Sequence, residues 1–204
     1  MPKDKTQSHQ KITDAAEKEF LKYGFKDASM RRIASEAGIT VSGLYKHFQN
    51  KEEMFASLVD PVIEEMMNSY RTTEEKEFRD IEEPDPDHIW EEKQETQRAM
   101  KFIYDHIDEF RLLVCRSQGT RYADIAHEIA LMEEETTLRY METLKNKGIP
   151  VKDVNRKEFH LLVTTNIDAI LQAVVHDFTR EEAMHYAETL EDFYMMGWRN
   201  LFGI

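Results

Sequence analysis

Apolar residues recur along this chain at helical spacing. Ile12, Ala15, Ala16, Phe20 and Tyr23 form one stripe, which predicts a first amphipathic helix. Gly24 follows where a left-handed helix end favours glycine, and Phe25 is placed to fold back onto the stripe. Ser29 as N-cap, Ile33, Ala34 and Ala37 as inward positions, and Gly38 as terminator predict a short second helix. Thr40 opens a third, with Leu44, Tyr45 and Phe48 inward. Asn50 and Glu53 have capping-box spacing and open a longer fourth. Pro61 falls within it, and an interior proline costs about 3 kcal/mol, so a kink or break is expected near residues 57–61. Asp60-Pro61 reads equally as the start of a new helix. Prolines in the run Glu82-Glu83-Pro84-Asp85-Pro86-Asp87-His88 predict an interruption. Beyond it the periodicity predicts helices at 89–115, 120–147, 155–177 and 180–202. Their breaks are Ser117-Gln118-Gly119 and Lys147-Gly148-Ile149-Pro150. Capping-box spacings at Asn155/Glu158 and Thr179/Glu182 mark the last two starts. The pattern is all-α.

Composition agrees: 7 Gly and 5 Pro in 204 residues are too few for an all-β chain that turns every 8–12 residues or so. No apolar run approaches the roughly 18 residues of a membrane span, and the first residues lack a signal peptide's hydrophobic core. One cysteine, Cys115, excludes an internal disulfide and a multi-cysteine zinc site. A reduced, cytoplasmic protein without cofactor is expected. The net charge of −13 discourages a polyanionic partner, but the average hides a split. Residues 1–51 carry ten Lys/Arg against six acids, a net +4, which leaves −17 on the rest. A basic head on an acidic body suits a module that binds a polyanion.

Within that head, two short helices with a glycine-containing turn read as a helix-turn-helix, whose second helix enters the major groove. The segment from Ser29 to Phe55 sharpens this, above all Ile33-Ala34, Ala37-Gly38-Ile39, Leu44-Tyr45-Lys46-His47-Phe48 and Asn50-Lys51-Glu52, with Tyr23-Gly24-Phe25 ahead of them. Over about residues 9–58 it resembles the DNA-binding domain of TetR-family repressors. Phe193-Tyr194 and Gly197-Trp198 are similar to the last segment of such regulators.

The resemblance implies an all-α homodimer with a three-helix DNA-binding head (residues 1–55) and a larger effector-binding and dimerisation body (56–204). It implies a double-stranded, palindromic DNA operator and a small-molecule effector that releases it. Carried over by position, Tyr45 and Lys51 match phosphate contacts, and His47 a backbone contact. Thr40 matches the recognition-helix N-cap near a phosphate, and Arg31 a position that reads a base edge. Val41, Ser42 and Lys46 fall where members vary with operator sequence. One departure is Gly43, where many relatives carry a hydroxyl that contacts a phosphate; glycine also weakens the helix by about 1 kcal/mol relative to Ala. The chemistry suits the roles, because lysines donate charge-assisted hydrogen bonds to phosphates and an arginine forks to guanine O6 and N7. Arg31 and Arg32 are about 100° apart on a helix, so one of the two points at bases.

In the body, the last two predicted helices carry apolar faces wider than one intramolecular contact needs. Phe159, Val163, Ile167, Ile170, Val174, Tyr186, Leu190, Phe193, Gly197 and Trp198 are the candidate dimer interface, as in a four-helix bundle. Met66, Tyr70, Trp90, Met100, Tyr104, Phe110, Cys115, Tyr122, Met132 and Asn166 are candidates to line an adaptable effector pocket, although each also reads as ordinary core. The bend at Pro61, on the helix joining head to body, is the candidate coupling element. Enzyme motifs fail: Leu44-Tyr45 follow Gly38 and Gly43 in place of a phosphate loop's Lys-Ser/Thr, and Leu131 stands where a zinc-protease helix needs its second histidine. The alternative reading is an all-α metal- or ligand-binding bundle without DNA function, for which Glu182 and His185 have a di-iron helix's spacing.

Overall fold

The computed structural model describes residues 3–80 and 94–204, and within them every regular element is helical. The chain divides into two compact units. The first comprises Met1–Met66 and His106–Ala123. It holds α1 (Lys3–Asp27), α2 (Met30–Glu36), α3 (Val41–Leu44), the first half of α4 (Lys51–Asp80), α6 (Ile107–Arg111) and one π-helical turn (Leu112–Arg116). The second holds the rest of α4 with α5 (Glu95–Asp105), α7 (Ile125–Asn146), α8 (Arg156–Val175) and α9 (Arg180–Phe202).

The predicted stripe of α1 is buried at Ile12, Ala15, Ala16 and Phe20, while Tyr23 at its end stays 40% exposed. Gly24 leaves helical geometry with φ 72° and ψ 168°, so the turn is positive-φ but extended rather than a left-handed cap. It brings Phe25 back onto Phe20, ring centroids 6.1 Å apart, and both rings meet Phe55 of α4 edge-on. Ile33, Ala34, Leu44, Phe48, Met54 and Val59 complete this core.

Pro61 does not interrupt α4, which runs from Lys51 to Asp80 through it. Ser57, Asp60 and Pro61 lie on its exposed side while Val59 and Val62 are buried. The Ser57 carbonyl that loses its partner therefore faces water, which removes much of the penalty. The predicted break at 82–88 lies outside the described residues. The predicted helix 89–115 is, from residue 94 on, instead α5, α6 and the π-helical turn, parted at His106 (φ −128°, ψ 41°), and its first residues, 89–93, lie outside the described ones. The helix predicted from residue 120 starts at Ile125, because hydroxyls hold 117–122 in turns. Ser117 Oγ donates to the Leu113 carbonyl, Thr120 Oγ1 donates to that of Ser117, and Tyr122 N–H donates back to Thr120 Oγ1.

The core of the second unit is Ala130, Met141, Leu144, Ile149, Phe159, Val163 and Phe202, with Phe78, Ile167 and Trp198 packed against it. Thr179 and Glu182 form the predicted reciprocal capping box at the start of α9, and Asn155 caps α8 by accepting from Lys157 and Glu158 N–H.

Candidate nucleic-acid interface

The head is a helix-turn-helix built by short-range caps. Thr40 Oγ1 accepts from Gly43 N–H at 3.0 Å and starts α3. A Cβ at Gly43 would lie 3.2 Å from that oxygen, so the glycine gives the cap its room. Beyond Leu44 the backbone continues in helical turns: Lys46 N–H donates to Gly43, and His47 and Phe48 N–H donate to Leu44. Leu44 and Phe48 are buried, which turns Ser42, Tyr45 and Lys46 to solvent, Tyr45 at 50% exposure. Val41 and His47 are half-buried beside them. Asn50 Oδ1 caps α4 by accepting from Glu53 N–H at 2.8 Å, while the Glu53 carboxylate accepts from Gln49 N–H.

The adjacent arginines separate. Arg32 Nε donates to buried Glu19 at 2.7 Å, its guanidinium lies 4.3 Å from the centre of the Tyr23 ring, and it also donates to the Asp27 carbonyl. Glu19 accepts from Ser29 N–H at 2.8 Å as well, taking the place of a Ser29 side-chain cap. Glu19 thus fixes α2 on α1, and its hydrogen bond raises the Arg32 pKa further above its ordinary value. Arg31 is exposed and has no ion-pair partner among the described residues. Sequence spacing alone left the two alike.

Lys51 is half-buried, and Nζ donates to the carbonyls of Lys26 (3.0 Å) and Ala28 (3.2 Å) while lying 4.6 Å from the Phe25 ring centre. It ties the start of α4 to the end of α1, with one ammonium donor left over. The segment 116–122 packs on the same corner. Gly119 lies against Lys26 and Phe25, and Tyr122 against Phe55. Tyr122 OH donates to Asp60, Arg121 Nη2 donates to both Asp60 oxygens, and Arg121 N–H donates to Glu52. Burial and the Asp60 carboxylate push the Tyr122 phenol up to about 12. Nothing local in the sequence announced this packing, since its partners lie more than sixty residues apart.

The effector-pocket candidates fall in both units. Met66, Phe110, Cys115 and Tyr122 belong to the first; Tyr70, Met100, Tyr104, Met132 and Asn166 belong to the second. Trp90 lies outside the described residues. Met100 and Phe110 are buried and Cys115 is exposed. Tyr104 OH donates to the carbonyls of Ala173 and Phe178, and Tyr70 OH donates to Glu133 at 3.0 Å. Burial raises the Tyr70 pKa, and Glu133 adds to it. Asn166 Nδ2 is buried without a hydrogen-bond partner.

The dimer candidates divide too. Phe159, Val163, Ile170, Val174 and Leu190 are buried in the protomer, and Ile167, Tyr186 and Trp198 are half-buried. Phe193 is 73% exposed, and the added Cβ at Gly197 would meet open space. Leu161 and Met196, which the sequence did not single out, are exposed at 65% and 64%, and Leu162 at 43%. Among the described residues no three His, Cys, Asp or Glu side chains converge as a metal site would require, and no helix is long and apolar enough to cross a membrane.

A capped turn that presents Tyr45 and Lys46 above buried Leu44 and Phe48, in a chain with a larger helical unit, has the geometry of a helix-turn-helix. Residues 12–58 match the sequence model of the family described as bacterial regulatory proteins, tetR family. An HTH-type transcriptional regulator of Staphylococcus aureus (strain bovine RF122 / ET3-1) is 30% identical over 112 residues, which cover 55% of this chain and 52% of that protein. The chain spans no more than about half the length of the curated relatives it matches. The fold is shared with the TetR-family regulator PfmR of Thermus thermophilus, with a TM-score of 0.59 and 18% identity over 90% of this chain and 93% of that one. A TetR-like regulator from Rhodococcus sp. RHA1 gives 0.57 and 19% over 95% of each. Residues 12–58 thus match the DNA-binding segment of the TetR family, and the chain shares the fold of TetR-family regulators.

Proposed function

We propose that this protein is a homodimeric repressor that binds a palindromic DNA operator through its N-terminal head and leaves it when a small molecule binds the body. The observation that carries the reading is the exposed set Arg31, Ser42, Tyr45 and Lys46 around a turn whose packing residues are buried. Lys46, and the remaining donor of Lys51, provide phosphate contacts; Tyr45 adds a hydroxyl on a rigid ring, and Thr40 keeps the recognition helix capped. Val41, Ser42 and Arg31 face base edges. Two-fold symmetry sets recognition helices about 34–36 Å apart, one turn of duplex, or at a related spacing.

Support for the dimer comes from α8 and α9. Leu161 and Leu162 on one, and Phe193 and Met196 beside open Gly197 on the other, leave apolar surface that a second copy would cover. For the effector, buried Asn166 Nδ2 is a free donor suited to a ligand oxygen. Release requires the effector to favour a shape that binds DNA less well.

An electrophoretic mobility shift with DNA from upstream of its own gene tests the proposal. Retardation that weakens with salt is expected, and Arg31→Ala should relax preference at one base position per half-site. Absence of any salt-dependent shift would overturn the reading.

A further inference from the structure

Two imidazoles stand side by side at the flank of the recognition turn. His9, exposed on α1, stacks on Phe48 with ring centroids 5.3 Å and planes 26° apart. Its centroid lies 6.0 Å from that of His47. Phe48 is only 4% exposed, so the stack holds the His9 ring against a fixed part of the core. His9 precedes residues 12–58, which match the family's sequence model, and the resemblance gives it no role.

We propose that His9 is a further contact to the DNA backbone, acting with His47, and that the pair takes up protons when a duplex binds. The inference rests on the DNA-binding reading above. Imidazole changes charge between about pH 5 and pH 8, and a phosphate within a few ångströms favours its charged form. Bound DNA then draws protons onto both rings, and by linkage acid tightens the complex.

The surroundings leave the rings available. The ionisable groups nearest the pair along the chain, among residues whose side chains are described, are Lys11 and Asp14 on α1, Tyr45 and Lys46 in the turn, and Lys51, Glu52 and Glu53 at the start of α4. The carboxylates are engaged elsewhere: Asp14 accepts from Gln10 Nε2 at 2.8 Å, Glu52 from Arg121 N–H at 3.3 Å and Glu53 from Gln49 N–H at 2.5 Å. Among the described residues the histidines in ion pairs are His106, His160 and His185, so no described carboxylate holds either ring of this pair.

The test is fluorescence anisotropy with a labelled mixed-sequence duplex at low salt, repeated between about pH 6 and about pH 8. The unmodified protein should bind about tenfold more tightly at the acid end, and His9→Gln should show about a threefold response. Histidine side-chain NMR supplies a second readout: adding duplex near pH 7 should move both ring signals toward the protonated position. A pH response in His9→Gln equal to that of the unmodified protein, or a flat response in the unmodified protein, overturns the proposal while leaving DNA binding intact. Failure to bind duplex at any pH would instead overturn the DNA-binding reading itself.

Discussion

The two units of this chain divide packing from chemistry in different ways. In the first, Ile33, Leu44, Phe48 and Phe55 are buried, while Arg31, Ser42, Tyr45 and Lys46 stand exposed between them. Packing and the proposed DNA contacts fall to different residues, so the outer surface reads as a candidate site. In the second, polar and aromatic side chains serve the fold. Tyr104 is tied to two carbonyls, and buried Glu134 accepts from Arg156 Nε at 3.0 Å and pairs with His160 Nδ1 at 2.8 Å. An aromatic residue in the body therefore says little about ligand binding, whereas an exposed one in the head says much.

Mutations sharpen that contrast in descending order of effect. Phe55→Ala removes a fully buried ring that meets Phe20, Phe25 and Tyr122, and should cost about 3–5 kcal/mol in urea unfolding. A loss below about 1 kcal/mol would mean that the head core is not packed as described. Glu19→Ala strands Ser29 N–H and half-exposed Arg32, and about 2–3 kcal/mol is expected. In the body, Phe193→Ser should leave the unfolding free energy of the isolated protomer within about 0.5 kcal/mol and weaken self-association at least about tenfold by sedimentation. Unchanged association would remove this face from the dimer proposal.

The smallest effect concerns pH. Hydrogen bonds from Lys101 and then Arg180 lower the Asp105 pKa to about 2. A carboxylate with a depressed folded pKa adds stability above its unfolded value of about 3.9, and that contribution fades as pH falls through the folded value. Asp105→Asn should therefore flatten acid unfolding between about pH 4 and about pH 2. Unaltered acid unfolding in that variant would show that the pair does not hold α5 to α9.

Much of the head was legible because its determinants are local. The α1 stripe from Ile12 to Phe20, the Thr40 cap and the Asn50 cap each depend on residues at most eight apart, and all three stand in the structure. The continuity of the helix predicted at 89–115 failed at His106, where the backbone leaves helical geometry and no Gly or Pro marks the break. Pro61 misled in the other direction, since the helix rule omits the water that solvates Ser57 on an exposed face. The distinction between Arg31 and Arg32 needed Glu19, over ten residues away and packed by α1. In α8 and α9, periodicity found two apolar faces but not which residues turn inward, so Phe159 and Phe193 looked equivalent while one is buried and the other exposed.

The central claim is that the recognition turn carries a phosphate-binding face. Its most direct measurement is the slope of log affinity for duplex DNA against log salt, taken for the intact protein and for Lys46→Ala. Lys46 is exposed, and its removal leaves the buried head core in place. A steep negative slope, reduced by about 1 per head in the variant, is the predicted result. A slope near zero, or one that Lys46→Ala leaves unchanged, would contradict it.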